Sequence, residues 1–347
     1  MSLFDVLPID HKFYAENLRE FLPDKIFDAH THIFKSKPAA RAEATAEQRT
    51  VTWPDRVAAV NPVEDIEATA SLMFPGKRYA PLMFGMPDVN TDLQEANAYV
   101  SACAVSRGYP ALLLTSPDTP PDKLEADILR GGFSGIKVYL SYAPPYIPAN
   151  EIRIFDFLPH AHLEVMDRRS WVVMLHISRP QRLRDPVNLA QLLEIERTYK
   201  NLRLIVAHVG RAYCNADAGD AFKVLKGTER MLFDFSANTN GWIFEQLINM
   251  AGSSRILFGS DLPITRMRMK RVERGGIYVN LVPRGLYGDV SGDPNMGELD
   301  PPESDSLTFF MYEEIEAFRQ AALRTKLSHG DIEKIFWSNA ADIFNYR

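Results

Sequence analysis

Eight short apolar runs recur along the 347 residues, separated by segments with helical spacing, and this alternation restricts the fold more than any other property of the chain. The runs are Lys25 to Asp28, Tyr79 to Gly85, Tyr109 to Thr115, Gly135 to Leu140, Trp171 to Leu175, Leu202 to Ala207, Met231 to Phe235 and Arg255 to Phe258. Short runs rich in β-branched or aromatic residues between polar flanks are the pattern of strands buried on both faces. The segments between them, such as Pro62 to Phe74, Asp92 to Arg107, Val187 to Tyr199 and Trp242 to Ala251, space their apolar residues as helices do. Repeated eight times, this predicts parallel βαβ units and an α/β fold of the (β/α)8 TIM-barrel type. Nucleotide-binding alternatives lose support because neither G-x-G-x-x-G nor G-x-x-x-x-G-K-[ST] occurs.

One domain over residues 1–347 fits that length, with two insertions. Residues 34–61 follow the first run and are rich in Ala, Arg and Glu; residues 265–306 follow the eighth. Loops this long in a compact domain are usually lids or binding loops, so both are expected at the barrel mouth. The second opens with Arg266, Arg268, Lys270, Arg271 and Arg274 and then turns acidic from Asp289 to Asp305. It is either a solvated excursion or a cover whose arginines recognise an anionic group. An eighth helix is expected over Leu307 to Leu327, and a closing helix over Asp331 to Phe344.

Composition narrows the partners. A net charge of −6, from 45 acidic and 39 basic residues, argues against nucleic acid or an anionic membrane as the main partner. Cys103 and Cys214 make neither a disulfide framework nor a zinc knuckle. Met1 to His11 has no basic segment followed by a long apolar core, and no apolar stretch approaches the roughly 20 residues of a membrane helix, so a cytoplasmic protein is expected.

The chemistry gathers at the C-terminal ends of the runs. His30 and His32, in Asp28-Ala29-His30-Thr31-His32, stand two apart on a strand and so point to one side. His176, His208 and Asp261 each sit at or just beyond the end of another run. In a barrel of this type that rim carries the reaction, so all five residues converge there. Imidazole and carboxylate donors without thiolates suit a catalytic divalent ion, Zn²⁺ first and Mn²⁺ possible. Asp261 would bind the ion and accept a proton from water, and His208 would hydrogen-bond the water or polarise a carbonyl. Tyr139, Tyr142, Arg179, Arg211 and Tyr213 fall just past strands, where substrate contacts belong; Asp234, Ser236 and Asn238 are similar. His160 and His162 lie in a helical segment, where i and i+2 face apart, and are expected at the surface.

These motifs, together with Gly135-Ile136-Lys137, Ala207-His208-Val209-Gly210, Phe258-Gly259-Ser260-Asp261-Leu262-Pro263 and Lys334-Ile335-Phe336-Trp337-Ser338-Asn339-Ala340, resemble the amidohydrolase superfamily, and its amidohydrolase 2 branch in particular. The resemblance runs from about residue 25 to the C-terminus apart from the two insertions. It implies that His30, His32, His176 and Asp261 are metal ligands, that His208 is a ligand or stands behind the ligands, and that one metal is bound. Lys137 occupies the strand whose lysine bridges two metals in other branches, which keeps a two-metal centre open. The branch implies hydrolysis of a lactone, ester or amide carbonyl in a small anionic or polyhydroxylated substrate. The alternative is non-oxidative decarboxylation of an aromatic or muconate-type acid at the same metal site. A non-catalytic binding barrel would leave an intact five-residue constellation without purpose. A homodimer is the default expectation for oligomeric state.

Overall fold

The computed structural model describes residues 3–35, 53–88 and 91–347. All eight apolar runs contain strands: β1 (Lys25–His32), β2 (Arg78–Phe84), β3 (Leu113–Leu114), β4 (Gly135–Val138), β5 (Val172–Leu175), β6 (Arg203–Val206), β7 (Leu232–Asp234) and β8 (Ile256–Leu257). β1 and β2 form a two-stranded parallel sheet, and β3 to β8 form a six-stranded parallel sheet in chain order. Backbone hydrogen bonds join the two sheets on both sides. Leu112 N donates to Met83 O (2.9 Å) between β2 and β3, and Ala29 N donates to Phe258 O (2.8 Å) between β8 and β1.

Strand alternation sorts the core into two clusters. Phe27, Ala29, Leu82, Phe84, Val172, Met174, Ile205 and Ala207 pack together, while their neighbours Ile26, Met83, Val173, Leu175, Leu204 and Val206 pack with the helices. Burial on both faces is why these runs read as continuous apolar stretches. Helices including Val63–Met73, Leu93–Arg107, Pro121–Gly131, Pro186–Thr198, Gly241–Ala251 and Phe310–Arg324 cover the outer cluster. Asp92 caps the second of them by accepting from the backbone of Gln94 and Glu95, satisfying amides that a helix N-terminus leaves unpaired. No helix of the described residues is long and apolar enough to cross a membrane.

The expected closing helix is broken into His329–Glu333, a π-helical turn Lys334–Ser338 and Asn339–Ile343. Phe258 N donates to Ile335 O, and Asn339 Nδ2 donates to Ile256 O, so this segment is tied to β8. Phe344 stacks on Phe27 at 5.8 Å, and Arg203 Nη1 donates to Ile343 O. The C-terminal segment therefore seals the strands near their N-terminal ends, opposite the rim that carries the histidines.

The insertion at 265–306 is more ordered than its composition indicates. It contains β9 (Lys270–Arg274), β10 (Ile277–Pro283) and β11 (Met296–Leu299), with β10 in the middle. Gly275 and Gly276, at φ 58° and 80°, form the two-residue turn between β9 and β10. Both positions require left-handed backbone, which glycine adopts without strain. Of the first insertion, Phe34 and Asn61 pair with each other and Trp53–Arg56 is a 3-10 turn; residues 36–52 lie outside the described residues.

Gly135 is needed where β4 meets β5. A Cβ there would lie 1.9 Å from the carbonyl oxygen of Val172, with φ at 154°. Gly135→Ala is expected to destabilise the fold by about 3 kcal/mol or more, since backbone rather than a flexible side chain must move. A urea midpoint equal to that of the parent would contradict this packing.

Candidate active site

β1 brings its two histidines to the rim as its alternation requires, and the ring centroids of His30 and His32 lie 5.4 Å apart. Buried partners orient both. His32 Nδ1 donates to Gly85 O (2.9 Å), which can only accept, so Nε2 carries the lone pair. His30 Nδ1 bonds Asp234 Oδ2 (3.0 Å), turning its Nε2 the same way. Asp261 completes the group, with Oδ1 at 3.2 Å from His32 Nε2 and 3.4 Å from His30 Nε2. These three offer ligand atoms within 4.8 Å of one another, and His30, His208 and Asp234 form a second such group.

His208 Nδ1 lies 3.1 Å from Ser236 O and 4.0 Å from Asp261 Oδ2. His176 stands beside His208 rather than inside the triad, with ring centroids 5.2 Å apart, and its buried Nδ1 has no hydrogen-bond partner. Burial lowers the pKa of all three inner histidines; Lys137 adds to the effect at His30, whose value falls to about 3. They are therefore neutral at pH 7, with nitrogen lone pairs available. Burial would raise the pKa of Asp261, but at the low pH where it titrates the charges of protonated His208 and His30 outweigh burial and hold it near 2, so the carboxyl is ionised at pH 7.

Two side-chain bearers occupy strained backbone. Asp261 has φ 61°, and His208, Val209, Gly210 and Arg211 run consecutively through left-handed conformation. Each non-glycine residue there costs roughly 1–2 kcal/mol, so neighbours must hold it. Asp234 Oδ1 accepts from His208 N (2.9 Å), and Asp261 N donates to His30 O (2.8 Å).

Around this centre the expected substrate residues divide. The Tyr139 ring lies 4.3 Å from His176 and the Tyr213 ring 6.4 Å from His208. Arg211 donates to Ser178 O (3.3 Å) and has no carboxylate partner among the described residues. Arg179 is instead engaged by Asp185 (2.9 Å), and Tyr142 donates to Asp88 O (3.3 Å). Asn238 donates to Ala212 O, a structural bond. The surface expectation fails for His162, which is buried with Nε2 2.7 Å from Thr119 O; the inward face of helix His160–Arg169 claims it, leaving only His160 exposed.

Residues beyond the expected set also matter. Asp28, the first residue of the histidine motif, accepts from His30 N, Ser260 N and Tyr79 Oη, and so locks β1 to the turn before Asp261. Burial raises its pKa to about 6 against those bonds. Lys137 is 1% exposed; its Nζ lies 3.3 Å from His30 Nε2 and 4.9 Å from the Phe84 ring, with no carboxylate in salt-bridge range among the described residues. Burial drops its pKa to about 8 although Asp234 and Asp261 pull the other way.

The amidohydrolase family model matches residues 27–346. The chain belongs to the amidohydrolase family. It is an enzyme of the amidohydrolase type, and its fold recurs in solved structures of low sequence identity. A probable 2-pyrone-4,6-dicarboxylic acid hydrolase from Acinetobacter baumannii is 14% identical with a TM-score of 0.57, over 92% of this chain and 99% of that one. An amidohydrolase from Burkholderia multivorans with bound zinc is 12% identical with a TM-score of 0.57, again over 92% and 99%. The 5-carboxyvanillate decarboxylase of Sphingomonas paucimobilis is 10% identical with a TM-score of 0.50, over 93% and 99%. No curated protein matches the amidohydrolase.

Lys137 supplies a test of the site's electrostatics. An ammonium whose pKa falls from 10.5 to about 8 on folding costs roughly 3 kcal/mol at pH 7, below both values. As pH rises from 8 towards 10.5 the folded state has shed the proton that the unfolded chain still binds, and the cost fades. In protein dialysed against a chelator, Lys137→Met should therefore be about 3 kcal/mol more stable at pH 7 and less than about 1 kcal/mol more stable at pH 10. Denaturant titration at the two pH values checks both the sign and the convergence.

Proposed function

We propose that this amidohydrolase is a metal-dependent hydrolase that attacks a lactone, ester or amide carbonyl of a small anionic substrate. One observation carries the reading: His30 Nε2, His32 Nε2 and Asp261 Oδ1 face one another as acceptors, while the proton of each ring is committed elsewhere. Acceptors gathered in a buried space repel unless cations lie among them, and Lys137 Nζ, 3.3 Å from His30 Nε2, reaches only one of the three. His30, His32 and Asp261 would hold a divalent ion, and the unpartnered Nδ1 of His176 makes that ring a fourth candidate. Nitrogen and carboxylate donors without thiolate favour zinc, with manganese the substitute, and the partners behind each ring are those that fix metal-binding tautomers. We read the two sheets as one closed (β/α)8 barrel, supported by the hydrogen bonds on both sides.

A divalent ion bound there would lower the pKa of water towards about 7 and polarise a carbonyl. The chain supplies the rest. Asp261 Oδ2, turned towards His208, accepts the proton of the attacking water and returns it to the leaving group. His208 donates through Nδ1 to Ser236 O, so Nε2 is left as an acceptor; this suits orienting the water and not polarising a carbonyl. Arg211, without a carboxylate partner among the described residues, and the phenols of Tyr139 and Tyr213 would hold an anionic or hydroxylated substrate.

Purified protein should contain about one equivalent of divalent metal per chain and hydrolyse members of a lactone panel with proton release. Asp261→Asn should lower kcat by about 100-fold or more while circular dichroism stays unchanged. Activity equal to the parent would remove Asp261 from proton transfer. Bicarbonate release from an aromatic-acid panel, without lactone turnover, would replace hydrolysis with decarboxylation at the same centre.

A further inference from the structure

The insertion at 265–306 carries several cations, and the structure separates them by partner. Arg268 is buried against Asp10, with Nη2 2.6 Å from Oδ2, and lies over the Phe309 ring: an internal ion pair that braces the fold. Arg284 is held by Asp300 and Glu298 at the surface. Arg266 bonds Asn61, whose Nδ2 donates to His32 O, behind β1. Lys270 and Arg274 are exposed. Arg271 differs from all of these.

Arg271 stands on β9 directly opposite Asn280 on β10. Its Nε donates to Asn280 Oδ1 (2.8 Å) and its Nη1 to Ala237 O (2.6 Å). Among the described residues Nη2 has no acceptor and no carboxylate pairs with the group. The guanidinium lies over Tyr278 at 4.3 Å, Phe310 at 4.4 Å and Tyr213 at 5.1 Å. Burial lowers its pKa, with the phenols of Tyr278 and Tyr213 acting the other way. Arg182 lies over the same two tyrosines, but Asp217 neutralises it at 2.6 Å.

The position of this cation is set by two routes from the reacting centre. Ala237, which receives Nη1, follows Ser236, whose carbonyl receives His208 Nδ1. Tyr213 contacts both sides, with its ring 6.4 Å from the His208 ring and 5.1 Å from the Arg271 guanidinium. Arg271 therefore belongs to the wall adjoining His208, held rigidly by two acceptors and aromatic faces, with donor capacity left over.

We propose that Arg271 binds a second anionic group of the substrate, a carboxylate distant from the reacting carbonyl. This rests on reading His30, His32 and Asp261 as the reacting centre. A cation left without a counter-ion in partly buried surroundings costs free energy that an incoming carboxylate recovers through charge-assisted hydrogen bonds. Aromatic contacts offset part of that cost without competing for the donors, because ring faces accept no lone-pair geometry. The substrate class is thus a compound with two acidic groups, one recognised by an insertion that lies outside the strand framework.

Isothermal titration with isophthalate, its monomethyl ester and benzoate tests this on metal-loaded protein without requiring turnover. The parent is expected to bind isophthalate on the order of tenfold tighter than the monoester. Arg271→Gln should reduce that preference to about twofold or less, leave benzoate binding unchanged, and be partly rescued by Arg271→Lys. A folded Arg271→Gln variant that keeps the full preference, or a parent that shows none, overturns the assignment. If Arg271→Gln does not fold, Asn280→Ala is read in its place: a lowered preference supports the assignment and an unchanged one overturns it. An Arg271-dependent preference in a protein that hydrolyses no lactone would refute hydrolysis and leave the anion site standing.

Discussion

One buried carboxylate organises the rim. Asp234, at the end of β7, accepts from His30 Nδ1, from the backbone amides of His208 and Ser236, and from Ser236 Oγ. It thereby joins β1, β6 and β7 through a single side chain with no exposed surface. Removing a carboxylate from water costs several kcal/mol, and only a full set of donors compensates. Burial alone would raise its pKa; the hydrogen bonds from His30 and Ser236 are among the effects that reverse the shift and keep it ionised. Ionised, it sets the His30 tautomer and clamps the left-handed turn that carries His208. Without it, neither histidine has a reason to face Asp261.

Charge within the core follows the same logic of compensation, with one side left open. Glu314 lies behind the β7 turn, its Oε2 accepting from Ala237 N while Oε1 has no partner. Burial raises its pKa well above the ordinary carboxylate range, disfavouring a negative charge beneath the site. Phe235 stacks on Phe318 at 4.3 Å and Phe258 on Phe336 at 4.9 Å, a buried aromatic floor. Strands β7 and β8 rest on this floor, so Asp234 and Asp261 project from a rigid base. Left-handed backbone at His208 and Asp261 is tolerated because packing below and hydrogen bonds above determine it.

The strand runs were legible because burial on both faces leaves an apolar signature no loop reproduces. His30 and His32 were legible because strand geometry alone makes residues two apart share a side. Helix ends moved by a few residues, as with the eighth helix, expected from Leu307 and observed from Phe310 to Arg324. Asp28 and Asp234 stood in plain view beside the expected site, yet their roles depend on donors more than 200 residues away, such as Ser260 and His30. His162 could not be distinguished from His160 because nothing local states which helical face is buried. Arg268 and Arg271 look alike in sequence; only Asp10, 258 residues distant, separates a braced cation from an open one.

The chain by itself determined the alternation of strand and helix, the side to which the two β1 histidines point, and the chemical class of the donors. These follow from periodicity and from side-chain chemistry, which are local. Tertiary structure alone decided which nitrogen of each ring is free, which carboxyl is ionised and which arginine is paired with a carboxylate. Each of those depends on partners contributed by distant segments and on the water their packing excludes, and neither is encoded at a single position.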